Sequence, residues 1–251
     1  MTEPFVHHVH TWGTVIVLDL RAEMLDHSVA QAACAAVTQE LEHIDALFST
    51  FREHSAVTAL RQGRLRTTDA PALVRSVIDA CTRLRETTDG AFDPWAAPGG
   101  FDPSGFVKGW GADRAAEVLT SHGFVNVSVN AAGDVTCRGE AEPGQGGWRI
   151  GVADPRDPMQ VITSALVTDA HLATSGRYEQ GNHIIDPATG LRATEVASAS
   201  VLAPDGGTAD ALATALMVRG PAGLPWITTP SSAYLVAGDR VWLTGEAFVH
   251  P

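Results

Sequence analysis

Hydrophobic positions along the chain follow two periods. Over residues 9–20 apolar and polar positions alternate, and the β-branched run Thr14, Val15, Ile16, Val17 predicts a strand. Residues 27–50 change to helical spacing: Val29, Ala32, Ala36, Leu41, Ile44, Leu47 and Phe48 form the stripe of a long amphipathic helix. Leu73, Val77, Cys81 and Leu84 predict a second helix over about 70–87. The pattern then lapses. Residues 87–105, TTDGAFDPWAAPGGFDPSG, keep neither period, and a loop of this length is usually functional or disordered. A helix follows Lys108 to about His122. Short strands are predicted near 125–129, 134–138, 148–153 and 161–167, separated by Gly and Asn/Asp turn signals. A further loop over 173–190 precedes a strand at 196–203, a helix at about 208–218, and closing strands near 233–237 and 241–244.

Helices and strands come in blocks and not in strict βαβ alternation, which predicts an α+β fold. The 251 residues, 45% hydrophobic, suffice for one domain with a real core, taken as 5–251 and built as one body or two closely packed lobes. The net charge of −12, with no run of basic residues, argues against nucleic acid as a partner. No apolar run is long enough to span a bilayer, and the N-terminal residues lack the pattern of a signal peptide, so a cytoplasmic location is expected. Cys34, Cys81 and Cys137 are odd in number and widely spaced, which speaks against a disulfide framework or a zinc site.

Lys108 is the single lysine among 17 basic residues. Either arginine-biased coding left one lysine by chance, or the position needs a compact charge on a flexible stem where a planar fork does not fit. Asp210 and Thr214 lie four apart on one helix face. They suit Mg²⁺ as hard oxygen donors, or serve simply as a helix-terminal carboxylate and a back-bonded threonine. His183, in NHIIDPATG, is placed to take a proton from a hydroxyl, or merely packs at a strand entrance. His7, His8 and His10 read as strand surface, and Ser175 lacks the G-x-S-x-G elbow of a hydrolase nucleophile. No dinucleotide or P-loop glycine pattern is present, so phosphate handling would use another scheme.

Several stretches in order resemble the ApbE-like family, the FAD:protein FMN transferases. They are Trp12-Gly13-Thr14, Phe48-Ser49-Thr50-Phe51, Thr88 through Asp93-Pro94, Asp102 through Lys108-Gly109 to Asp113, and Asn130 through Gly133-Asp134. Ala173 through Gly176, His183 through Gly190 and Ala209 through Thr214 complete the set. The resemblance implies an α+β, T-fold-related architecture of two packed lobes with FAD in the cleft. It implies Mg²⁺-dependent transfer of FMN from FAD to a threonine hydroxyl of an acceptor flavoprotein carrying a Ser/Asp-Gly-x-x-Thr stretch, with release of AMP. Alternatives are a FAD pyrophosphatase and a FAD-binding protein without turnover. Trp12, Phe51, Ala91, Phe92, Asp93, Asp102, Lys108 and Ile185 match flavin-contacting positions, with Lys108 meeting the ligand directly or through Asp102. Asp210, Thr214 and the Gly105 carbonyl match metal ligands. His183 matches the residue that activates the hydroxyl, with Asp93 as the substitute base. The chain departs from the family at Trp12 (usually Met), Phe51 (usually Tyr or Trp) and Trp95 (usually Thr), and its segment between the two Phe-Asp-Pro tripeptides is short. Many relatives are exported lipoproteins.

Overall fold

The structure, a computed structural model, describes residues 3–177 and 184–249. A hairpin opens it: β1 (Glu3–Thr11) pairs antiparallel with β2 (Thr14–Ala22), so the one strand predicted over 9–20 is part of two. Trp12 and Gly13 turn between them with φ of +54° and +70°, the left-handed pair that a two-residue hairpin loop requires. Glycine takes this conformation freely, but Trp-Gly is not the usual signal for it, and the sequence therefore hides the turn.

Asp26 starts α1 (His27–Phe48) by accepting the N–H groups of Ser28 and Val29 at 2.8 and 3.3 Å. The helix buries Ala30, Ala33, Cys34, Val37, Leu41, Ile44 and Phe48. Val29 and Ala32 face solvent, contrary to the predicted stripe. Small residues occupy both faces of the first turns, and the period there has no phase. A short α2 (Ala56–Arg61), capped by Ser55, was not evident in the sequence, whereas α3 (Ala72–Thr87) lies where its pattern put it.

The glycine- and proline-rich loop is tied down along its length. Arg61 donates to the carbonyls of Pro98 and Gly99, and the Asp102 N–H donates to Pro94 O at 2.8 Å. The loop ends in α4 (Ser104–Ser121), which begins before Lys108, so the lysine sits inside the helix and not ahead of it.

The remaining elements are β3 (Asn126–Ala131), β4 (Asp134–Arg138), β5 (Trp148–Asp154), β6 (Asp157–Val167), β7 (Ala170–Gly176) and β8 (Ser198–Ala203). Then come α5 (Gly206–Arg219), β9 (Ser232–Ala237), β10 (Arg240–Thr244) and β11 (Phe248–Val249). Residues 173–176, expected in a loop, end strand β7. Its sequence AHLATSG has small residues and faces that are both covered, so it shows no alternation.

Eight strands form one sheet in the order β1-β2-β3-β4-β7-β8-β9-β10, and β11-β6-β5 form a second. The large sheet is two β-β-helix-β-β units side by side, joined where β4 pairs with β7. Its central strands are covered twice. Asp134, Thr136, His171 and Ala173 face the helices, while Val135, Cys137, Leu172, Tyr234 and Val236 pack with Trp148, Val167 and Phe248 of the small sheet. The α+β reading holds; the two lobes are halves of one sheet.

The halves are locked at a crossing of α4 and α5. A Cβ on Gly109 would overlap the carbonyl of Gly206, and a Cβ on Gly206 would overlap that of Gly109. Backbone therefore meets backbone. Gly109→Ala is expected to lower stability by about 1–3 kcal/mol or more, the scale of an overpacked core, measured as a shift of the urea midpoint. An unchanged midpoint would show that the helices part without cost.

Candidate functional site

The crossing brings residues remote in sequence onto one spot. On α5, Asp210 and Thr214 are one turn apart, and Asp210 is 4% exposed. The Gly109 N–H of α4 donates to Asp210 Oδ2 at 3.3 Å. One turn earlier on α4, a Cβ added at Gly105 would stand 3.1 Å from Thr214 Oγ1, so only a glycine leaves that space open. Gly105 is also where α4 departs from helical geometry, at φ −76° and ψ 17°. Ser175 Oγ of β7 lies 3.5 Å from Thr214 Oγ1. Gly105, Asp210 and Thr214 are thus neighbours.

Their donors are oxygen only: one buried carboxylate, one hydroxyl and one backbone carbonyl. That set fits a hard divalent ion such as Mg²⁺, with substrate and water completing the shell. Among the described residues no group of three or more His, Cys, Asp or Glu side chains could hold a metal, so such an ion would rest on a single carboxylate.

Beside this spot Lys108 Nζ lies 3.1 Å from Asp134 Oδ2, the lysine side chain 29% and the carboxylate 1% exposed. Asp134 is one partner of Lys108 among the described residues; Asp102 accepts the Ser104 N–H at 3.1 Å and so helps to start α4. Beneath the crossing is a buried polar chain. Asp113 of α4 accepts the Gly206 N–H with one oxygen and the Thr136 hydroxyl with the other, at 2.8 Å. Having given its proton to Asp113, Thr136 Oγ1 must accept from His171 Nδ1–H at 2.6 Å. His171 Nε2 is then a bare acceptor, fully buried and without a hydrogen-bond partner among the described residues. Burial pushes the His171 pKa below the usual 6.5, overriding the opposing pull of Asp134, Asp113 and Asp205; Lys108 lowers it further.

The flavin-contacting candidates are placed less uniformly. Ala91 and Phe92 are buried, and the Phe92 N–H donates to Thr88 Oγ1 at 3.1 Å. Asp93 is already engaged, accepting from Arg85 Nε at 2.7 Å and from the Trp95 N–H at 2.9 Å, which leaves it poorly placed as a base. Trp12 works as packing: its Nε1 donates to Leu41 O at 3.3 Å and its ring lies on Gly111 of α4. Phe51, by contrast, is 97% exposed. Ile185 forms a lone bridge with Arg192, in a turn organised by Asp186, which accepts from the Ala188 N–H and Thr189 Oγ1. His183 lies outside the described residues.

Asp113, Asp134, Thr136 and His171 carry no role in the sequence reading. Asp113 and Asp134 stand inside quoted motifs, but spacing alone does not reveal partners on β4, β7 and α5. The three cysteines are buried, with thiol pKa values raised to about 11 for Cys34 and about 12 for Cys81 and Cys137 by desolvation, so they stay protonated.

The profile of the ApbE family matches residues 12–100 and 97–235. An FAD:protein FMN transferase of Rhodobacter capsulatus is 34% identical over 158 residues, covering 60% of this chain and 29% of that protein. One of Vibrio cholerae serotype O1 is 38% identical over 129 residues, covering 47% of this chain and 38% of that protein. The matched stretches therefore span well under half the length of these relatives. Among solved structures, the flavin transferase ApbE from Vibrio cholerae superposes with a TM-score of 0.84 at 23% identity, over 97% of this chain and 98% of that one. The ApbE protein from Thermotoga maritima does so at 0.82 and 25% identity, over 96% of each.

The buried histidine sets a pH dependence. Its proton affinity is lower folded than unfolded, so its contribution is intact above the unfolded value of 6.5 and is lost as pH falls below it. Urea midpoints are expected to decline from pH 7 to pH 5, by at most about 1.4 kcal/mol per pH unit from this group. His171→Asn should flatten that decline; an equal slope in the variant would assign the loss to other groups.

Proposed function

The chain belongs to the ApbE family, and from that premise we propose that it is an Mg²⁺-dependent FAD:protein FMN transferase acting in the cytoplasm. The observation that carries the reading is the α4–α5 crossing, where Gly105, Asp210 and Thr214 form an oxygen-only set next to the single lysine. When bound there, Mg²⁺ would offset the charge of the FAD pyrophosphate and favour departure of AMP.

The chain's own residues do the rest. Lys108 holds the anionic part of the nucleotide, while the segment of Ala91 and Phe92 lines the flavin side. His183 takes the proton from the acceptor threonine hydroxyl. The hydroxyl oxygen bonds to the FMN-side phosphorus, the P–O bond to AMP breaks, and AMP leaves with the bond's electron pair. Engagement of Asp93 by Arg85 and the Trp95 N–H favours His183 as the base. The acceptor would be a flavoprotein with a Ser/Asp-Gly-x-x-Thr stretch.

The test follows AMP release and peptide flavinylation with FAD, Mg²⁺ and a peptide carrying that stretch. Flavinylated peptide and AMP are expected in equal amounts; AMP without labelled peptide would instead make the protein a FAD pyrophosphatase. His183→Ala should keep most FAD affinity while turnover falls by about 10²–10⁴-fold, as for a lost general base. Loss of FAD binding in that variant would place His183 in the flavin pocket and overturn its catalytic assignment.

A further inference from the structure

We infer that Asp134 is a positioning residue for flavin-nucleotide binding, fixing the Lys108 ammonium where it meets the anionic part of the ligand; the inference rests on the FAD reading above. Asp134 is 1% exposed, and its two oxygens point to different parts of the fold. Oδ1 accepts the Thr174 N–H at 3.0 Å, bonding β4 to β7 just beyond their last paired residues. Among the described residues Oδ2 receives no hydrogen bond of regular geometry, and it faces Lys108 Nζ at 3.1 Å. A carboxylate this deep is costly to desolvate unless it is paired.

Charge alone gives Asp134 the wrong sign for the task. A negative group beside the lysine weakens the attraction of the site for pyrophosphate. Its presence makes sense as placement. A free lysine side chain loses up to about 2 kcal/mol of rotamer entropy when it is ordered at the moment of binding. Asp134 orders it beforehand. The residue type at 108 agrees: an ammonium is a compact point charge on a flexible stem and can sit against the one carboxylate oxygen, Oδ2, that Thr174 leaves open, whereas a guanidinium is a larger planar fork.

The same aspartate ties this lysine to the metal-binding candidates. Thr174, which it holds, adjoins Ser175, and Ser175 Oγ lies 3.5 Å from Thr214 Oγ1. On α4 the next residue after Lys108 is Gly109, whose N–H goes to Asp210. Displacing Asp134 would therefore disturb the cation and the oxygen set together.

The test compares wild type with Asp134→Asn, which keeps the shape and an acceptor for the Thr174 N–H but removes the charge pairing. FAD and riboflavin, which has the same ring system and no phosphate, are titrated against each. The expected result is about 10-fold weaker FAD binding, the scale of one weakened charge-assisted hydrogen bond, with riboflavin binding unchanged. FAD binding that is unchanged or tighter overturns the inference, and so does a parallel loss for both ligands, which marks a structural role. A wild type that binds riboflavin but gains nothing from the nucleotide overturns it too. A wild type that binds neither overturns the FAD reading and the inference together. Should the variant fail to fold, acetylation of wild type decides: as the single lysine, Lys108 is identified unambiguously by mass spectrometry. It is expected to react more slowly in the folded protein than in urea, and equal rates overturn the inference.

Discussion

The close approach of two glycines, Gly109 and Gly206, is the constraint on which the rest of the structure depends. Helices normally pack with side chains between them, at interaxial distances of about 8–10 Å. Here α4 and α5 touch through backbone, and this contact sets the reach of every side chain around it. Asp210 can accept from a backbone N–H of α4 only because no Cβ intervenes. Gly105 and Thr214 become neighbours for the same reason. Other small residues extend the effect: Gly207 admits the Phe106 ring and Gly111 admits Trp12.

Electrostatics fastens what packing brings together. Asp113 reaches from α4 to the first N–H of α5, where the helix dipole favours a carboxylate, and the same side chain takes the Thr136 hydroxyl from the sheet. Asp205 caps the same terminus by accepting the Thr208 N–H at 2.8 Å. Below, the single lysine and Asp134 pair at the seam between the two halves of the sheet. The seam therefore carries polar groups in a layer that elsewhere holds Val, Leu and Ala. Buried polar groups of this kind narrow the set of arrangements that satisfy them, so the side chains at the seam are held in place by the fold.

The sequence made the helices readable in proportion to how one-sided they are. The pattern of α3 keeps a clear stripe, and that of α1 loses its phase where alanines cover both faces. Strands with one dry face read well, but β7 does not, because helices lie over one side of it and a second sheet over the other. The placement of candidate residues was legible where order along the chain carries the information, as with Asp210 and Thr214 on one helix face. The partnership of Lys108 with Asp134, and of Asp113 with Gly206, was not. These pairs join positions 26 and 93 residues apart, from elements whose adjacency depends on sheet order and on one helix crossing. No local period encodes either.

The α4–α5 crossing is proposed to assemble an oxygen-only metal site that works together with the nucleotide. Calorimetric titration of the wild-type protein with FAD, once in Mg²⁺ and once in EDTA, tests it most directly. Markedly tighter binding is expected in Mg²⁺, with loss of that difference when Asp210 is replaced by alanine. Equal FAD affinity of the wild type in Mg²⁺ and EDTA would contradict it.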